Sequence, residues 1–235
     1  AEGTVVDNAK DFIQQKISSG ELEVPTGVSY TFSGSYENQI RAEKRLAIVI
    51  PLSLAVIFLI LYFQFRSTAM VLMIFSAIAM AFSGGFMMLW LYGQGWFFDF
   101  DFLGTNMREL FQMRTFNLSV AVWVGFIALF GIATDDGVVM GTYLKQSFER
   151  IQPENVKEVR KAVLEAGLKR VRPCLMTSAT TLLALLPVLT SSGRGSDIMI
   201  PMAIPAFGGM TVALISLFIV PVLYGKYQEF KIGRN

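Results

Sequence analysis

Apolar residues dominate five separate stretches of this chain, each near the roughly 20 residues that cross a bilayer as a helix. The first, Leu46 to Phe65, continues without a breaker from a charged helix predicted over Ser35 to Arg45. Arg66-Ser67-Thr68 separates it from the second, Ala69 to about Tyr92, where Ser83-Gly84-Gly85 offers small residues for close helix contact. The third runs from Leu118 to Leu144. The fourth, Cys174 to Thr190, is short unless it begins near Leu168. The fifth, about Met199 to Tyr224, contains Pro201, Pro205 and Gly208-Gly209, which membrane helices tolerate when neighbours satisfy the backbone.

The remaining segments are polar or mixed. Val5, Ala9, Phe12, Ile13 and Ile17 recur at helical spacing among charged residues and predict an amphipathic surface helix. After the turn Pro25-Thr26-Gly27, Val28, Tyr30 and Phe32 alternate with small polar residues as in a half-buried strand. A helix and a strand make too little core to fold alone, so residues 1–34 read as the end of a larger soluble domain whose upstream part is expected to be missing. Between the second and third spans, Trp96, Phe97, Phe98, Phe100 and Phe102 interleave with Asp99 and Asp101, a mixture suited to the lipid headgroup region, and 107–111 reads as a short helix. Residues 145–172 are polar, with a helix opened by Pro153 at its first turn.

The expected fold is therefore an all-α polytopic membrane protein of five transmembrane helices, with a small α/β periplasmic remnant at the N-terminus. Its expected order is 1–34 soluble, 35–66 a charged helix running into the first span, 69–92 the second span and 93–117 an interfacial loop. The third span follows at 118–144, a polar loop with an amphipathic helix at 145–172, further spans at 173–191 and 197–225, and a tail at 226–235.

Composition agrees: 53% of the 235 residues are hydrophobic and the mean hydropathy is +0.51. There are no histidines, so imidazole relays and histidine metal sites are excluded within the chain. A net charge of +2 is too small to suggest nucleic acid. Basic residues collect on one side, from Arg66 through the 145–172 segment to Lys226 and Lys231, and sparse arginines on the other. The positive-inside rule makes the first side cytoplasmic, and the odd number of spans puts the N-terminal segment outside, which in a Gram-negative cell is the periplasm.

The third span holds the chemistry. Asp135 and Asp136 sit deep in an otherwise uncharged run, and an aspartate at a membrane helix centre costs about 2.5–3.5 kcal/mol. Successive helical positions are about 100° apart, so the two carboxylates cannot share one orientation. Burial favours a neutral acid and a nearby cation favours a carboxylate, so an acid between these influences can load and release a proton. The bland alternative is a carboxylate lining a wet crevice or hydrogen-bonded for structure. Thr134, Thr177, Ser178, Thr180 and Thr181 offer hydroxyls to a proton path, although hydroxyls in membrane helices more often bond their own backbone. Thr177 is the candidate relay hydroxyl among them. Cys174 and Met199 are soft donors for a monovalent metal, against the alternative that each is packing.

Several runs together resemble a known family. They are Tyr30-Thr31-Phe32-Ser33-Gly34-Ser35-Tyr36-Glu37 with Arg41-Ala42, Gly125 through Ala133, Gly137-Val138-Val139-Met140, Arg170-Val171-Arg172-Pro173, and Ala206 through Met210. The chain is similar to the C-terminal part of resistance-nodulation-division (RND) pumps of the heavy-metal efflux branch, nearest to the copper/silver exporters. The resemblance implies the end of a periplasmic porter domain plus the last five helices of a secondary active transporter, not an enzyme. It implies a proton/cation antiporter in the inner membrane, homotrimeric, joined to a periplasmic adaptor and an outer-membrane channel, with no bound cofactor and the metal ion as substrate. Asp135 falls on the family's relay acid, usually glutamate, Asp136 on a position that is normally apolar, and Cys174 on the relay lysine. Met199 falls on a methionine that copper/silver pumps place near the periplasmic mouth. Two other readings stay open: an RND pump for drugs, lipids or protein segments, and a non-transporting membrane subunit whose acids hold helices together.

Overall fold

The computed structural model describes residues 2–22, 25, 35–102 and 104–232, which form two compact units, residues 1–50 and 51–235. In the first unit α1 (Glu2–Ser18) is the amphipathic helix that the apolar spacing predicts. It ends where Gly20 takes φ +76, the left-handed conformation that glycine adopts without a Cβ clash. The strand expected over Val28 to Phe32 lies outside the described residues.

The second unit is a helix bundle. Helix α2 (Ser35–Phe65) enters it, and α3 (Thr68–Tyr92), α5 (Val120–Ile151), α6 (Val156–Leu189) and α7 (Ser196–Ile232) complete it. Each contains a segment long and apolar enough to cross a membrane, five in all among the described residues. Helix α7 is the hub, packed on α3, α5 and α6, while α5 also contacts α3 and α6. Leu61, Phe65, Val71, Ile74, Met140, Leu144, Leu217 and Val220 form one core cluster around these contacts.

Glycine sets the closeness of α3 and α7. A Cβ at Gly208 would lie 2.2 Å from Met88 Cβ and 2.8 Å from the Gly84 carbonyl oxygen, so only a hydrogen fits there. On the other flank a Cβ at Gly125 of α5 would lie 2.2 Å from the Met202 carbonyl oxygen of α7. These are the contacts by which helices cohere in lipid, where apolar side chains gain nothing from leaving water. Above them Phe82, Phe86, Phe126 and Phe130 form an aromatic cluster, with Phe86 stacked on Phe126 at 4.7 Å between centroids.

Two features differ from the sequence expectation. The polar segment 145–172 is not a loop with its own helix: α5 runs on to Ile151, α6 starts at Val156, and four residues connect them. Gln152 caps α5 in the left-handed region at φ 46, and Pro153 stands in the turn ahead of the Asn155 N-cap rather than in the first helical turn. Thirty-two helical residues in α5 rise about 48 Å, well beyond a hydrocarbon core of about 30 Å, so the polar turns project past it. Their faces still pack, through Ser147 Oγ donating to the Ala162 carbonyl at 2.9 Å and Phe148 against Tyr224 at 5.0 Å. Helix α7 likewise continues through the expected tail, tied by Arg160 Nε to Glu229 Oε1 at 2.8 Å.

The second difference is in 93–117. The expected short helix is present as α4 (Met107–Leu110), its N-terminus capped by the Asn106 side chain, which accepts from Arg108 N at 2.9 Å. Ahead of it a two-residue pair, β1 (Asp101–Phe102) and β2 (Thr105–Asn106), forms an antiparallel hairpin turning at Gly104, φ +80.

Replacing Gly208 by valine forces a branched side chain into the α3–α7 contact. Overpacking of this kind costs roughly 1–3 kcal/mol, and the purified full-length protein is expected to melt several degrees lower. Gly167→Ala, where a Cβ meets nothing within 4 Å, serves as the control and is expected to leave the melting temperature unchanged or raised.

Candidate functional site

Helix α5 presents Ala133, Gly137, Met140, Gly141 and Leu144 inward, a repeat of three and four residues that fixes which acid meets the bundle. Asp136 falls beside that stripe and is half-buried, whereas Asp135, one step round the helix, is exposed. The two carboxylates point apart, as the 100° step requires.

Asp136 faces α6. Ser178 Oγ donates to Asp136 Oδ2 at 3.1 Å, and the Cys174 thiol lies within hydrogen-bonding reach of the same carboxylate. Both partners are buried, Ser178 at 5% and Cys174 at 4% exposure, so this polar contact is closed off from bulk solvent on the α6 side. On the α7 side a cavity of about 10 Å³, lined by Asp136, Ala133, Ala213 and Leu217, is near the volume that one water requires.

One turn along α6 from Cys174 stands Arg170, whose guanidinium lies over the Tyr143 ring at 5.1 Å and which interacts electrostatically with Asp136. Its Nε is buried without a hydrogen-bond partner among the described residues. Arg170, Cys174 and Ser178 are spaced by four, so one face of α6 carries a cation, a thiol and a hydroxyl toward α5. Tyr143 also lines a cleft of about 150 Å³ at the far end of the same seam, with Gln146, Ser147, Arg150, Glu165 and Lys169. There Glu165 is held by Arg150 and by Lys169, the latter at 3.0 Å.

The other candidates separate. Thr177 Oγ1 donates to the Cys174 carbonyl at 2.9 Å and lies near the Pro173 carbonyl at 3.2 Å, so it serves the backbone of its own helix around a proline rather than the acid. Thr134, Thr180 and Thr181 likewise bond carbonyls four residues back, at 2.6, 2.8 and 2.9 Å. Met199 is 43% exposed in the first turn of α7. Cys174 packs with Leu217 and Val220, at least 18 residues or about 27 Å further along α7, so the two soft donors do not converge. Among the described residues no three His, Cys, Asp or Glu side chains gather as a metal cluster.

Sequence reasoning names Ser178 among several hydroxyls and Arg170 within a motif, but it does not pair either with Asp136. The signal available was their spacing of four on either side of Cys174, which becomes informative only once α6 is known to be one helix through Pro173.

Comparison with known proteins gives a consistent result. The chain is 36% identical over 217 residues to the cation efflux system protein CusA of Escherichia coli strain K12, covering 89% of the chain and 19% of that protein. It is 35% identical to the putative cation efflux system protein SilA of Salmonella typhimurium and 30% identical to the cobalt-zinc-cadmium resistance protein CzcA of Cupriavidus metallidurans, covering 94% of the chain in each case and 19% and 18% of those proteins. Among solved structures, the X-ray crystal structure of a heavy metal efflux pump superposes with a TM-score of 0.64 at 28% identity, over 93% of the chain and 19% of that structure. The chain thus spans about one fifth of the length of the relatives it matches. The sequence pattern of the AcrB/AcrD/AcrF family matches residues 1–97 and 110–228, nearly the whole chain, and with five helices long and apolar enough to span a membrane in a fold similar to that of a solved efflux pump, the chain belongs to that family.

Proposed function

We propose that this chain is the C-terminal transmembrane part of a proton-driven pump of the RND type that exports heavy-metal cations, with monovalent copper or silver preferred, and that Asp136 and Asp135 carry the protons. The observation that carries the reading is the Asp136–Ser178 contact of 3.1 Å, set between apolar helices beside a water-sized cavity. A carboxylate there can take a proton from the cavity, and Ser178 holds it in one orientation while it does so. Relatives named for cation efflux and for cobalt-zinc-cadmium resistance support a metal cargo. The monovalent preference rests on Met199, which stands in an exposed turn at one helix end.

The acids divide the work by direction. Asp136 serves the α5–α6 seam, and Asp135 faces outward, where the upstream half of the subunit supplies its partner. Arg170 provides the positive charge on α6 that a cysteine at position 174 cannot, and its stack on Tyr143 places it between Asp136 and the polar cleft toward which the proton leaves. In the working assembly the subunit forms a homotrimer in the inner membrane, with a periplasmic adaptor and an outer-membrane channel, and the N-terminal segment lies in the periplasm. A proton crossing 100 mV contributes about 2.3 kcal/mol to each cycle.

A structural role for Asp136, holding α5 to α6, is the competing reading, favoured by the same hydrogen bond. Asn separates the two, because its side-chain oxygen still accepts from Ser178 while its charge and proton are gone. In cells carrying the full-length gene, Asp136→Asn is expected to abolish silver resistance with the protein still folded and in the membrane. Asp135→Asn is expected to do the same. Resistance retained by the double variant would exclude both acids from transport.

Ser178→Ala removes one hydrogen bond to a charged group, worth about 1.5 kcal/mol, and is expected to slow silver-coupled proton flux in vesicles about tenfold. Arg170→Gln is expected to slow it at least as much, with Arg170→Lys recovering part of the loss. Equal flux in the glutamine and lysine variants would show that the charge at 170 is not used.

A further inference from the structure

The segment joining α3 to α5 carries residues that the family pattern does not match: 98–109, containing the β1–β2 hairpin and the start of α4. We infer that this segment is a membrane anchor, a preformed aromatic hairpin seated in the headgroup and acyl boundary of the leaflet where α3 ends and α5 begins.

Its rings are displayed rather than packed away. Trp96 is 67% exposed, Phe100 52% and Phe102 59%. They follow one another at every second or fourth residue, with Asp99 and Asp101 between, so that rings and acids alternate along the segment. Phe98, at φ +56, turns the chain through a backbone conformation that bulky residues seldom adopt, and its ring meets those of Phe97, Phe100 and Phe111 at 4.8, 5.7 and 5.9 Å.

The polar groups work from below. Arg108 Nη1 donates to the Gln94 carbonyl and, at 3.4 Å, to that of Phe97, while Asn106 Nδ2 donates to Asp99 at 3.3 Å. The base is then fastened to the α6–α7 connection by Gln112 Nε2 donating to the Ser191 carbonyl at 2.6 Å, and to the first turn of α7 by Arg114 paired with Asp197 at 3.2 Å. The hairpin is thereby fixed in height against spanning helices.

That height selects the occupant. The rings continue an apolar surface already present on the last turns of α3, where Trp90 is 59% and Met87 53% exposed. Aromatic side chains with a polar rim are what the membrane interface favours. The family pattern runs on either side of residues 98–109 without matching them, and a bilayer is a partner that requires no matched sequence.

The test is the depth of a nitroxide on the full-length protein in phosphatidylcholine/phosphatidylglycerol vesicles. A label at Phe100→Cys is compared with one at Arg194→Cys, in the α6–α7 turn, as the aqueous reference, and a sample without introduced cysteine corrects for background. The expected result is a ratio of oxygen to nickel-chelate collisions several-fold above that at 194, corresponding to about 5–10 Å below the headgroup surface. Phe102→Cys repeats the measurement in case the first substitution disturbs the hairpin. A ratio equal to that at 194 would put the rings in water, exclusion of both reagents would put them under protein, and either result overturns the anchor.

Discussion

Backbone contact between α3 and α7 is the constraint on which the rest of the bundle hangs. With Gly208 against the Gly84 carbonyl, the two helix axes approach to a distance that any side chain would widen. In lipid this closeness substitutes for the hydrophobic effect, since cohesion there comes from dispersion and from polar groups that find one another. Helix α7 can consequently touch α3, α5 and α6 together, and Leu217 and Val220 reach the same core as Ile74 and Met140. The inward face of α5 is set by that core, and the inward face decides which aspartate is enclosed.

The polar groups follow a division of the same kind. Hydroxyls with no partner across the seam return to their own helix, as Thr177 and Thr181 do, whereas Ser178 reaches Asp136 because its position on α6 faces α5. Charged side chains beyond the hydrocarbon pair with each other, as Arg160 does with Glu229. Arg170 belongs to neither class: it is long enough to lay its cation on Tyr143 while its Nε stays buried without a hydrogen bond among the described residues. A buried donor left in this way is costly, of order 1–3 kcal/mol, and the stack on Tyr143 and the attraction to Asp136 offset part of that cost.

Much of this was legible in the residues. Runs of apolar residues located five helices, Gly84-Gly85 and Gly208-Gly209 announced close packing, and the 100° step separated Asp135 from Asp136 before any coordinates. The polar stretch 145–172 was legible in part: its helix follows the period of Val156, Val159 and Val163, but its continuity with the spans on either side was hidden, because the hydrogen-bonded ladder does not stop where lipid stops. The partnership of Asp136 and Ser178 was hidden because it joins residues 42 apart, and no spacing rule spans two helices. The hairpin at 101–106 was hidden because its strands are two residues long, while the alternation of Phe100 and Phe102 with acids was visible throughout.

Asp135 has one more implication. An ionisable group turned outward from an apolar helix is costly next to acyl chains, about 2.5–3.5 kcal/mol, so a surface that brings polar atoms to that spot is favoured as the cover of α5. A mispaired neighbour would leave the acid stranded, and the error would register as instability rather than as a silent defect. A carboxylate at this place thus weights the balance toward neighbours that answer its polarity and against those that meet it with hydrocarbon alone.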